Sequence, residues 1–559
     1  MSKKEEKQTL LDWFHHWELT QPQAIYLTQP DKGGVTDYTW AEVSNQARRM
    51  AAHLKTLKLA SGSSIGILSK NCAHWIMADL AIWMAGHVSV PLYTTLNTET
   101  GRYIVDHARI KLLFVGKLDD QDWATLQEGL PDALPLLALP LGADSNMPQW
   151  HDIVSQTQPI KVAVRRKPSQ LATVIYTSGS TGNPKGVKIS FDAMLSSAQG
   201  LAQLLQITNR DRMLSYLPLA HTAERAAVEA SSLRHGFRVY FAESLPTFAE
   251  DLKRARPTLF FSVPRLWTKF YQGIQQKLPT ARQKLLFRTP VIGGIVKRKL
   301  LQELGLDHTR IAMTGAAPLA PAIVNWYREL GLELLEVYGM SENFAYSHVS
   351  RPGQVRVGTV GQPAPGVQCR IAADGEILVK SPCTMMGYHR SKAQTDKAID
   401  AKGWLHTGDR GVIDDKGRLQ ITGRVKDLFK TSKGKYVAPA PIENQLTHHV
   451  AIEAACVSGS GRPQPYALAV LSEAAREQLA SDDRGRAVLE RELANMLDDI
   501  NSELEPQEVL DFLVVVKAPW DIANGFLTPT MKIKRNVVEA HYAAQVEGWA
   551  SRRRKIVWE

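Results

Sequence analysis

The stretch LATVIYTSGSTGNPKGV, residues 171–187, decides the reading of this chain. Six residues of β-branched and aromatic character, LATVIY, predict a buried strand. Behind it, ten residues hold four hydroxyls (Thr177, Ser178, Ser180, Thr181), three glycines (Gly179, Gly182, Gly186) and one lysine, Lys185. Glycines let backbone N–H groups approach an anion closely, the hydroxyls add donors, and the lysine adds positive charge. That combination suits a polyphosphate. It is not the Gly-Lys-Ser/Thr loop of P-loop nucleotidases, because Lys185 stands between Pro184 and Gly186.

Working outward, short apolar runs recur from about Ser63: SIGIL, VSVPLY, KLLFV, RVYFA, TLFFSV, RIAMTG and LELLEVY. Helix-length amphipathic segments such as 320–330 separate them. Strand–helix alternation predicts an α/β fold with a largely parallel sheet covered by helices, and ligands beyond the carboxyl ends of its strands. The texture changes after Gly423 and Arg424. Residues 425–445 read as a short strand and a Lys/Gly loop, 486–504 as a charged helix, 509–516 as a strand, and 519–531 as a loop. The expected organisation is a large N-terminal domain over 1–424 and a small mobile α+β domain over 425–559.

The chain has 559 residues, 44% hydrophobic and 22% charged, which excludes disordered and fibrous classes. Its net charge is +11; residues 425–559 carry 17 basic and 19 acidic residues, so the excess of +13 lies in the large domain. A basic body suits anionic small molecules or an anionic membrane surface at least as well as nucleic acid, for which no reader motif is present. The four cysteines are scattered, arguing against zinc ligation and a disulfide framework. The apolar stretch 75–93 contains Asp79, Gly86, His87 and Pro91, and predicts a buried helix, a turn and a strand rather than a membrane span. The N-terminus lacks the apolar stretch of a signal peptide. A cytoplasmic protein is expected, with peripheral contact at the inner membrane surface as an alternative. Trp13, Phe14 and Trp17 would suit such contact, and a docked amphipathic helix is the competing reading of the same residues.

The loop at 177–186 resembles the signature loop of the adenylate-forming superfamily of acyl-CoA synthetases, luciferases and peptide-synthetase adenylation domains. Further segments, in the same order over about 500 residues, carry the resemblance. EVYGMSE, 336–342, resembles the family's adenine and Mg²⁺ element. It implies Tyr338 as adenine platform, Ser341 as α-phosphate donor and Glu342 as Mg²⁺ ligand, with Glu336, Gly339 and Met340 around them and Thr177 as a second metal contact. Mg²⁺ leans on phosphates and water, so one carboxylate suffices. Gly315, Ala316 and Ala317 resemble the turn lining the adenine face. GWLHTGD, 403–409, implies Asp409 on the ribose hydroxyls, and Arg424 in GRVKD is the second ribose and phosphate contact. Lys426 corresponds to the family's hinge residue. The loop 430–439, with Lys433 and Gly434, implies a pantetheine channel. TPTMKIKR, 528–535, implies Lys532 as the adenylation lysine, with Lys534 as competitor and Met531 where the family usually has Gly.

Three segments are similar to long-chain acyl-CoA synthetases: YLPLAHTAER (216–225), FFSVPRLW (260–267) and PLYTTL (91–96). They imply a fatty acid as substrate and place His221 beside its carboxylate. The implied activity is activation of a fatty acid with ATP to acyl-AMP, then transfer to CoA. Transfer to a carrier protein and β-lactone closure stay open as alternatives, as do chain length and oligomeric state.

Overall fold

The protein is described by a computed structural model covering residues 8–142, 146–177, 183–481, 483–522, 524–528 and 531–559. Up to Arg424 the described residues build four sheets. The largest runs Leu136–Ala138, Leu113–Val115, Ser64–Leu68, Val88–Leu92, Leu171–Thr177, Lys185–Ser190; its first five strands are parallel, and the last pairs antiparallel with Leu171–Thr177. A second sheet sets Leu259–Ser262, Ile311–Thr314 and Leu334–Tyr338 parallel, then adds two short antiparallel strands, His348–Val349 and Gln362–Pro363. A third joins Ile25–Asp31 to Arg238–Phe241 and Arg212–Ser215.

The fourth departs from the parallel expectation. Gln368–Ile371, Glu376–Lys380, Leu405–Ile413 and Leu419–Arg424 form an antiparallel meander. Glycines at positive φ in its turns, Gly375 and Gly417, permit the tight reversals that replace helical crossovers.

The apolar stretch at 75–93 is a wholly buried helix, Ala73–Met84, followed by the strand Val88–Leu92. No helix among the described residues is long and apolar enough to cross a membrane. Its one acid, Asp79, meets Arg225, which also bonds Glu229 at 2.7 Å and Thr173 Oγ1 at 2.7 Å. All three charged side chains are fully buried. Two carboxylates around one guanidinium do not both stay ionised cheaply, and burial drives Glu229 well above the carboxylate range.

The N-terminal helix Leu10–Thr20 starts on a reciprocal cap between Thr9 and Asp12. Phe14 is buried, the Trp17 indole donates to Leu233 O at 3.0 Å, and Arg234 stacks 3.5 Å from the Trp13 ring centroid. These aromatics are docked on the body.

Beyond Arg424, Ile452–Ser458, Tyr466–Leu471, Leu513–Val515 and Ile556–Trp558 form a separate mixed sheet with its own apolar core, covered by the helix Asp483–Glu503. The ion pair Arg265–Glu453 joins this unit to the large one.

Candidate active site

Leu171–Thr177 and Lys185–Ser190 pair antiparallel, with Thr177 in register with Lys185. Ser178, Gly179, Ser180, Thr181 and Gly182 lie outside the described residues. Gly186 is required by packing, since a Cβ there would meet Val174 Cγ1 at 2.8 Å and His389 Cβ at 3.1 Å. Residues 386–389 run along the hairpin, with Met386 N–H donating to Lys188 O and His389 N–H to Gly186 O. This docking puts the Tyr388 ring under the Lys185 ammonium, 4.9 Å from its centroid.

The turn after Leu334–Tyr338 supplies the second group. Gly339 has no room for a side chain, because a Cβ would lie 2.4 Å from the Ala345 carbonyl carbon. Met340 N–H donates to Asn343 Oδ1 and Ala345 N–H to Met340 O, closing a tight loop that presents Ser341 and Glu342. Ser341 Oγ accepts from Thr222 Oγ1 at 3.0 Å. Tyr388 donates to Glu342 Oε1 at 2.8 Å. The second Glu342 oxygen has no hydrogen-bond donor among the described residues, and an acceptor-only oxygen of this kind fits a Mg²⁺ ligand. Gly315 packs under Val337, and Ala316 takes a left-handed φ of 70°, so Ala316 and Ala317 face outward as an exposed turn. Glu336 lies inside the sheet on the same strand face as Tyr338; burial pushes its carboxyl up to about 7.

The antiparallel meander supplies the third group. Asp409 and Arg424 are register partners on adjacent strands. Arg424 Nε lies 3.0 Å from Asp409 Oδ1, and Tyr338 donates to Oδ2 at 2.6 Å. Each carboxylate oxygen keeps a free lone pair for a further donor.

Lys532 completes the cluster from the C-terminal unit. Thr528 N–H donates to Lys532 O, Met531 N–H to Thr528 O, and Lys532 N–H to Thr528 Oγ1. Met531 holds φ 61°, the region glycine favours, where the family usually has glycine. Arg535 fastens this clip by bonding Glu443 and Val457 O, each at 2.6 Å. The Lys532 ammonium lies in the field of Arg424, Asp409 and Glu342. Crowding by protein and then Arg424 draw it below the ordinary lysine range, while the two carboxylates act oppositely. Its residue surface stays exposed, so water screens these fields. Lys534 instead stands at the N-terminal boundary of the following helix, Arg535–Tyr542, without a side-chain capping bond.

His221 accepts the Ala223 N–H on Nδ1 at 3.2 Å, which leaves the ring proton on Nε2. Burial and then Lys532 push its pKa down to about 4, so it is a neutral donor at physiological pH. The next charges of that segment are scaffold. Glu224 accepts from Ser215 Oγ and Tyr216 N–H, and Arg225 belongs to the buried triad. Burial also raises all four cysteine thiols, Cys369 to about 11, so none is a ready thiolate.

Thus contacts link Lys185 through Tyr388 to Glu342, Tyr338 through Asp409 to Arg424, and Ser341 to Thr222 beside His221, and Lys532 lies in the field of Glu342, Asp409 and Arg424. Lys426, Lys433 and Gly434 sit on exposed turns, and no hydrogen bond or ion pair of the described residues ties their side chains to these groups. Sequence reasoning missed Tyr388 and Thr222. Tyr388 stands in an unremarkable MMGYHR segment, 385–390, and only its contacts reveal it.

The family described as AMP-binding enzyme matches residues 14–389, and that described as AMP-binding enzyme C-terminal domain matches 426–553. The chain is 31% identical to a Mycobacterium bovis protein named long-chain-fatty-acid–CoA ligase FadD15, over 96% of this chain and 95% of that one. It is 29% identical to long chain acyl-CoA synthetase 7, peroxisomal, of Arabidopsis thaliana, over 96% and 86%. Among solved structures, the anthranilate CoA ligase AuaEII in complex with anthranoyl-AMP superposes with a TM-score of 0.78 at 20% identity, covering 97% of this chain and 98% of that one. The A-PCP didomain of a carboxylic acid reductase from Segniliparus rugosus, with AMP, gives 0.81 at 20% identity, covering 98% and 83%. These two likenesses bear on the fold alone. With the two family descriptions following one another over residues 14–389 and 426–553, the chain belongs to the AMP-binding enzyme family.

Proposed function

We propose that this protein is an AMP-forming fatty acid–CoA ligase acting on long-chain acids. The observation that carries the reading is Lys532, held on a C-terminal clip yet sharing one electrostatic site with Glu342, Asp409 and Arg424 of the large unit. The names of the relatives at about 30% identity support the substrate class.

Residues 1–424 bind ATP and the acid, and 425–559 carry the lysine and line the CoA path. The acid's carboxylate attacks the α-phosphorus of ATP, forming the acyl–phosphate bond as pyrophosphate leaves. Two anions must meet, so the chief work is positioning and charge balance. Lys185 and the loop at 177–182 hold the outer phosphates. Asp409 and Arg424 hold the ribose, with Tyr338 beside adenine. Lys532 offsets charge at the reacting centre, and His221 offers its Nε2–H to the acid. Glu342, with Thr177, would hold Mg²⁺, which when bound neutralises phosphate charge. The small unit then turns about Lys426, withdrawing Lys532 and bringing the 430–439 loop with Lys433 and Gly434 to the acceptor. The CoA sulfur attacks the acyl carbonyl and AMP leaves.

The test is turnover with ATP and CoA across a series of fatty-acid lengths, with holo carrier protein as a parallel acceptor. Thioester formed on CoA with long acids supports the reading. Product on the carrier protein alone, or exchange only with aryl or short acids, overturns it.

A further inference from the structure

The helical hairpin Thr280–Arg288 and Ile292–Glu303 has two apolar faces, only one of which the fold uses. Inward, Phe287, Leu300, Leu301 and Leu304 pack on the core, and buried Gln283 accepts the Trp326 indole N–H at 2.6 Å. Outward, Leu285, Val291, Ile292 and Ile295 are 73, 80, 51 and 62% exposed. Scattered exposed aliphatics are ordinary, but four within eleven residues make a patch.

The hairpin itself carries six cations and one carboxylate, Glu303, at the end of its second helix. From Leu252 to Gln302 the chain contains no Asp or Glu and twelve Lys or Arg. Of the outer five, Arg254 pairs with Asp251, Arg256 with Asp307 and Arg265 with Glu453. The seven that frame the hairpin, Lys277 to Lys299, form no ion pair among the described residues. Lys297 lies 5.2 Å over the Phe287 ring, and the other six are exposed.

Charge selects the occupant. A second copy meeting this face across a two-fold axis would bring seven cations against seven. Aliphatic side chains ringed by Lys and Arg match the boundary between acyl chains and anionic headgroups, where burial and attraction to phosphate add. We propose that this hairpin docks the protein on an anionic phospholipid bilayer, with Val291, Ile292 and Ile295 entering the headgroup–acyl boundary. The N-terminal aromatics cannot serve, being docked on the body. The inference goes beyond the ligase reading and does not rest on it.

The test is co-sedimentation of the full chain, without ATP, acid or CoA, with phosphatidylcholine vesicles lacking or containing phosphatidylglycerol. Binding is expected only on the anionic vesicles. The double variant Ile292→Ser, Ile295→Ser and the triple variant Lys297→Glu, Arg298→Glu, Lys299→Glu should each lower partition at least about tenfold. Both should keep the wild-type thermal midpoint, which separates lost docking from lost folding. Equal binding to neutral vesicles, or variants that bind like the wild type, would overturn the proposal. So would an acidic protein partner captured without any vesicle binding, or a dimer in solution that the Ile292→Ser, Ile295→Ser variant dissociates.

Discussion

The Tyr388 phenol donates to the Glu342 carboxylate at 2.8 Å, while the face of the same ring carries the Lys185 ammonium. One side chain thereby fixes the spacing between the Leu171–Ser190 hairpin and the turn proposed to hold Mg²⁺. Burial and the Glu342 charge hold its phenol far above the ordinary range, so it remains a donor. Tyr388→Phe keeps the ring and removes the donor. The expected result is a loss of about tenfold or more in apparent Mg²⁺ affinity, read from pyrophosphate exchange against Mg²⁺ concentration. An unchanged Mg²⁺ curve would remove Tyr388 from this role.

Lys532→Ala should lower acyl-AMP formation at least about a hundredfold, because charge at the reacting centre loses its counterion. Thioester formation from supplied acyl-AMP should stay near the wild-type rate. Lys534→Ala, at the boundary of a helix that its side chain does not cap, should leave both half-reactions nearly intact. Equal loss of both steps in Lys532→Ala would count against its assignment.

Lys426→Pro stiffens the connection just after Arg424. Acyl-AMP formation should persist, and thioester formation from supplied acyl-AMP should fall by about tenfold or more. A full second half-reaction would place the hinge elsewhere.

Removing Arg225 leaves Asp79 and Glu229 buried without their cation. Arg225→Met should cost about 3–5 kcal/mol, seen as a lower urea midpoint. Replacing all three residues by apolar ones of similar volume should recover most of that loss. A mild effect of Arg225→Met would mean the triad carries little of the fold.

Stability should fall in mild acid. Burial pushes His74 down to about 3 and His348 to about 4. Below about 6.5 the unfolded chain binds protons that these folded rings refuse, so their contribution is complete above that pH. It is lost as pH falls towards 4, at about 1.4 kcal/mol per pH unit for each histidine. The thermal midpoint, followed from pH 7 to pH 5, should drop, and His348→Gln should flatten the curve. A wild-type midpoint independent of pH over that range would refute this.

Much of the body was legible because its signals are local. Runs such as SIGIL and LELLEVY became Ser64–Leu68 and Leu334–Tyr338, and the apolar stretch at 75–93 became a helix and a strand. Asp409 and Arg424 lie fifteen residues apart in sequence, and only antiparallel register makes them neighbours. That sheet escaped a reading tuned to helical crossovers. Tyr388 and Glu342 are 46 residues apart, and Asp79 and Arg225 are 146 apart. No periodicity encodes contacts of that range. The charges of LPLAHTAER illustrate the same limit: His221 lies in the field of Lys532, while Glu224 and Arg225 turn into the scaffold.

The clip of Thr528, Met531 and Lys532 is riveted through Arg535 to Glu443, and so to its own sheet. Under the proposed mechanism, delivery of the lysine is then a lever stroke. A wedge lodged between the two bodies, near the Arg265–Glu453 bridge, would silence the enzyme without competing with any of its substrates.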